Sequence, residues 1–170
     1  DKDGSITARY AGNSALLVME VMDGGTLTVE GGKIQNAGGT ATNYGSETVY
    51  VRSGGTFYLN GGNIHSERIS ASKRIHPVYN NGGTVVMNGG SVTSTSTDEA
   101  FSISSGTLTI NGGDITGLTA ASAISSTSKA TVTINGGSFK GALKADWLGE
   151  DAVGVYDGTN TVIAESAPSE

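Results

Sequence analysis

The sequence predicts an all-β chain, a right-handed parallel β-helix of about five to six coils with three short strands per coil and a C-terminal cap. Three observations predict it. One phrase returns five times: Gly24-Gly-Thr-Leu-Thr-Val-Glu-Gly-Gly-Lys-Ile34, Gly54 to Ile64, Gly82 to Val92, Ser105 to Ile115 and Lys129 to Phe139. The second glycines of the Asn-Gly-Gly turns, Gly32, Gly62, Gly90, Gly113 and Gly137, are spaced by 30, 28, 23 and 24 residues, the length of one solenoid coil. With 27 Gly, 2 Pro and many Ser, Thr and Asn, the composition disfavours helix and suits strands joined by tight turns.

A single domain accommodates all 170 residues. It divides into an N-terminal partial coil or cap (1–23), repeat coils (24–140) and a C-terminal cap with its tail (141–170). The N-terminal piece carries Leu16, Leu17, Met19 and Val21. In each phrase the alternation after the first Thr points Leu27/Val29, Phe57/Leu59, Val85/Met87, Leu108/Ile110 and Val132/Ile134 to one side, as a strand with one buried face requires. A second strand follows the corner and turns Ile34, Ile64, Val92, Ile115 and Phe139 inward. A third precedes the phrase, at Met19 to Val21, Val49 to Val51 and Phe101 to Ile103, with weaker versions at Pro77 to Tyr79 and around Ile124. Three strands per coil imply three parallel sheets.

Glycine lets each corner turn at positive φ. Asn60, Asn88, Asn111 and Asn135 recur at one corner position, where stacked amides can hydrogen-bond from coil to coil, and Glu30 should end that ladder. After Phe139 the repeat stops. The stretch Trp147 to Ile163 reads as a hairpin about Asp157-Gly158, with Trp147 as a plug over the last coil.

The repeated Gly-Thr-Leu-Thr-Ile-Asn-Gly-Gly phrase, ending in Gly-Gly-Ser-Phe139 and followed by Val-x-x-Tyr156-Asp-Gly-Thr-Asn-Thr-Val, resembles the pectate-lyase-like β-helical surface proteins of Gram-positive anaerobes. The resemblance runs from Ala15 to Ile163 and concerns architecture more than ligand. Such proteins include adhesive regions and non-catalytic polysaccharide-binding domains, so it implies a secreted or cell-surface location within a larger protein, a monomeric domain, and a polysaccharide or host glycan as partner.

Charge narrows the classes. A formal net charge of −6, with 15% charged residues, lacks the concentrated basic surface a nucleic-acid groove needs. No apolar run approaches the ~18 residues of a membrane span, and no leader opens the chain, so an export signal or wall anchor is expected elsewhere in the protein. Cysteine is absent, which removes disulfides and thiol chemistry.

Function is expected where the period lengthens, in residues 35–46 and 65–77, because insertions in solenoids gather on one edge. The second insertion holds Arg68, Lys73, Arg74 and His76, while Tyr44, Tyr50, Arg52 and Tyr79 lie near in sequence or by stacking. Arginine grips carboxylates and tyrosine stacks on sugar faces, so this cluster suits an acidic polysaccharide such as polygalacturonate. A passive stalk is the alternative, with a solvated loop in place of a site. Cleavage by a glycosidase would need paired carboxylates facing one groove, whereas Glu20, Glu47, Asp98, Glu99 and Asp114 are scattered. A lyase would need a calcium-binding Asp cluster, which is not visible, and His65 and His76 read as two histidines of one loop. No cofactor is expected. Calcium remains open, since Asp1-Lys-Asp3-Gly begins like a calcium loop without its other ligands. The outward Thr pairs would make a flat array, but Tyr58 and Val86 interrupt it.

Overall fold

The computed structural model describes residues 4–9, 16–37, 46–67 and 75–165. They wind into a parallel β-solenoid of about 4 turns. The count is slightly lower than the five to six coils expected.

One sheet collects the strands that follow the corners: β1 (Ser5–Arg9), β4 (Lys33–Ala37), β7 (Asn63–Ser66), β9 (Ser91–Ser94), β11 (Asp114–Ile115) and β14 (Ser138–Lys140). In-register parallel pairing stacks Ile34 on Ile64 and Ile64 on Val92, and Ile115 on Phe139.

The other two strand lines merge instead of forming separate sheets. In the first two coils β2 (Leu17–Val21) is parted from β3 (Thr26–Val29), and β5 (Ser46–Arg52) from β6 (Thr56–Leu59). Further along, β8 (Ile75–Met87) and β10 (Phe101–Ile110) run through the corner unbroken, before the lines part again as β12 (Ile124–Ser126) and β13 (Ala130–Ile134). The corner tightens coil by coil. Arg52 pairs with Asn81 and Asn81 with Ser105, whereas Thr56 pairs with Thr84 and Thr84 with Thr107, so each successive corner is one residue shorter.

The expected inward columns form the core. Phe57, Val85 and Leu108 stack in one, and Leu59, Met87, Ile110 and Ile134 in its neighbour, all essentially sealed from solvent. The preceding strand line adds Val49, Val78, Phe101 and Ile124. Among the buried polar residues, Asn80 interrupts an apolar stack: it lies between Val51 and Ile103, fully buried. Its Nδ2 donates to the Gly83 and Thr107 carbonyls, at 3.1 and 2.9 Å, and its Oδ1 accepts from Gly83 N at 2.9 Å. A buried amide is tolerable when its bonds are made, and these hold the tightened corner.

The two ends differ. At the C-terminal end Trp147, 9% exposed, closes the core from a 3-10 turn, Ala145–Trp147. Beyond it β15 (Ala152–Tyr156) and β16 (Asn160–Glu165) make the expected hairpin, and β16 pairs antiparallel with β14. Reversed strand direction stops the parallel stack. At the N-terminal end β1 and β2 lie on the first coils, and among the described residues nothing closes that end.

Candidate functional site

The face outside β2, β5, β8 and β10 carries the described members of the predicted cluster. Parallel strands about 4.8 Å apart bring equivalent side chains into stacks. Register sets Glu20 beside Tyr50, Tyr50 beside Tyr79 and Tyr79 beside Ser102. The two tyrosine rings lie 5.1 Å apart at 21°.

Tyr50 is held on several sides. From the same strand, the Arg52 guanidinium sits 4.1 Å from its ring centroid, and Arg52 Nη1 donates to the phenol oxygen at 3.1 Å. Arg52 also reaches toward the first coil, where its Nε donates to Glu20 Oε1 at 2.6 Å. Asn81 donates to the same phenol oxygen at 3.2 Å. One face of Tyr50 therefore meets Arg52 and the other meets Tyr79. Tyr79 leaves its far side toward the fourth coil, where register supplies only the small side chain of Ser102.

His76 lies in strand β8 and His65 in β7, so the reading of two histidines in one loop is corrected. His65 Nδ1 is hydrogen-bonded to Thr93 Oγ1 at 2.7 Å and the ring lies 3.6 Å from Glu67, on the other sheet. Burial and the Lys33 charge hold the His65 pKa below its ordinary value, against the opposing pull of Glu67 and Thr93. His76 is only 2% exposed, and its ring lies 6.4 Å from that of Tyr79. Its Nδ1 is 3.0 Å from the Glu99 carbonyl, which can only accept, so Nδ1 carries the proton. Nε2 is buried without a described partner. The turn beside it is pinned: Asp98 Oδ2 accepts from Ile75 N at 2.7 Å, and Ser96 Oγ donates to Ile75 O at 3.0 Å.

Glu47 is the register neighbour of His76. Burial pushes its carboxyl up to about 7, with the Arg52 charge pulling the other way. In the sequence Glu47 reads only as one of several scattered carboxylates, and Asn81 carries no signal. Both could have been found only with the strand register in hand.

Tyr50, Arg52, His76 and Tyr79 are thus brought onto adjoining strands. Tyr44, Arg68, Lys73 and Arg74 lie outside the described residues, as do Asp1 and Asp3. The flanking strand pairs, β4 with β7 and β5 with β8, set the ends of both insertions side by side. Among the described residues no group of three or more His, Cys, Asp or Glu side chains is arranged to hold a metal ion. Tyr58 and Val86 do interrupt the outward Thr column in register.

The fold and this face define the class, a parallel β-solenoid with an aromatic and ionic strip along one sheet. Comparison with family models, with curated proteins and with solved structures finds no match to the chain.

Proposed function

We propose that this chain is a non-catalytic, glycan-binding domain of a bacterial cell-surface protein, taking sugar against the strip of Tyr50, Tyr79 and Arg52, with the buried His76 beside Tyr79. The observation that carries the reading is the stacked pair Tyr50–Tyr79, framed by hydrogen-bonding side chains on a rigid sheet. Aromatic rings beside polar groups suit pyranose rings, which have an apolar face and a hydroxyl rim. Tyr79 is the ring available to a ligand, since Tyr50 is covered by Arg52 and Tyr79. Acidic polysaccharide such as polygalacturonate is the candidate ligand, with Arg68, Lys73 and Arg74 of the second insertion as its further cationic contacts.

A passive stalk is the second reading, favoured by the Arg52–Glu20 ion pair, which turns this arginine toward the protein itself. Affinity electrophoresis in gels containing polygalacturonate, cellulose or mucin separates the two. Retention of the native chain on one polymer, weakened at least about tenfold by Tyr79→Ala, supports binding. Unretarded migration in all three gels overturns it and leaves the stalk. Release of reducing ends or unsaturated products from the same polymers would make the chain an enzyme instead.

A further inference from the structure

We propose that the N-terminal end of the solenoid is a docking edge for one more turn of the same repeat, the turn whose last strand is β1. Strand β1 sits on β4 as β4 sits on β7: Ser5 pairs with Lys33 and Ile6 with Ile34, then Lys33 with Asn63 and Ile34 with Ile64. The corner bond is equivalent too. The Gly4 carbonyl accepts from Lys33 N at 2.9 Å, and the Gly32 carbonyl accepts from Asn63 N at 2.8 Å.

The two strands that should precede β1 in its turn have no counterpart among the described residues. Among the described residues β2 pairs only with β5, and β3 only with β6, which leaves their outer edges without a described strand partner. Neither strand contains Pro, a residue that commonly guards an edge.

The side chains tell the same story. Ile6 is 51% exposed, although Ile34 and Ile64 in its column are buried. Met19 and Leu27 are only partly buried, although Val49 and Phe57, their partners in the next coil, are sealed. Together with Val29 and Ile34 they line an open cavity of about 540 Å³. This is the surface that every later coil buries against its neighbour, continuous with those interfaces and uncapped among the described residues. The opposite end has its plug in Trp147 and its reversed strand in β16.

The occupant that fits is a pair of parallel strands with apolar residues inward and Thr or Ser outward, joined to β1 through a Gly corner. Because β1 already closes that turn, the pair belongs to the same polypeptide as β1.

The test joins a copy of residues 90–112, one 23-residue turn, directly ahead of Gly4 in place of residues 1–3. This sets Asn111-Gly112 of the copy onto Gly4-Ser5-Ile6 in the phase of the other corners. A second version lacks one residue of the copied strand, which turns its apolar side chains outward. The in-phase chain should gain at least about 4 °C in Tm and bind at least about twofold less hydrophobic dye, while the shifted chain gains neither. Equal behaviour of the two versions would overturn the proposal. So would sedimentation of the native chain as a dimer that dissociates on Met19→Lys, because the edge would then serve a second copy.

Discussion

Asn60 donates its side-chain amide to Glu30 Oε1 at 2.9 Å, and this bond gives the corner ladder a direction. Asn88 donates to Asn60, Asn111 to Asn88 and Asn135 to Asn111, each at 2.8 Å. Every amide gives its N–H to the coil before it. A carboxylate has nothing to donate, so Glu30 is a terminal acceptor.

Removing a middle rung should therefore cost more than removing the end. Asn88→Ala breaks two bonds and Glu30→Ala one. Both sites are exposed, where a bond contributes at the low end of about 0.5–1.5 kcal/mol. Urea midpoints should show a loss of about 1 kcal/mol for Asn88→Ala and about half that for Glu30→Ala.

Corner glycines with the same positive φ should not be equally replaceable. Gly24 and Gly90 have φ of 69° and 77°. A Cβ on Gly24 meets nothing within 4 Å, whereas one on Gly90 would stand 2.7 Å from the Gly62 carbonyl oxygen of the coil before. Gly24→Ala pays only for the left-handed backbone, about 1–2 kcal/mol. Gly90→Ala adds a clash that the stacked backbone cannot relieve, and thermal melts should show at least about twice the loss.

The residues that were legible in the sequence are those whose role depends on their own phrase. Alternation from Leu27 to Val29 fixes which side faces in, and the return of the phrase fixes the stack. The face outside β5 and β8 was harder because its register depends on corner length. Counting back five residues from Thr56 and Thr84 would align Tyr79 with Val51, yet Tyr79 pairs with Tyr50. The shortened corner moves the strand by one residue, and a shift of one exchanges inside for outside. Asn80 was missed for the same reason: its core position appears only once the corner has tightened around it.

Asn80 should accordingly be one of the costliest polar residues to truncate. Its single amide serves Gly83 N, the Gly83 carbonyl and the Thr107 carbonyl. Asn80→Ala leaves those backbone groups buried and unpaired and opens a small void, for a loss of about 2–4 kcal/mol. Amide exchange should quicken first at Gly83. Asn80→Leu should not restore stability, since apolar volume cannot pair the backbone.

Glu47 should make stability fall with rising pH. Its carboxyl is raised from 4.5 to about 7, chiefly by burial. Between these values the folded chain holds a proton there that the unfolded chain has released, so ∂ΔG/∂pH is negative across that window. The contribution is fully present below the unfolded value and lost as pH rises through about 7. Glu47→Gln keeps the shape of the neutral acid without the proton, so it should flatten the profile. At about pH 8 it should stabilise the fold by roughly 2 kcal/mol relative to the native chain, and at about pH 4 by almost nothing. Urea titrations of both chains across that range measure the difference. A native profile that is flat between about pH 5 and 8, or one that Glu47→Gln leaves unchanged, would mean that the Glu47 carboxylate stays hydrated at the sheet surface.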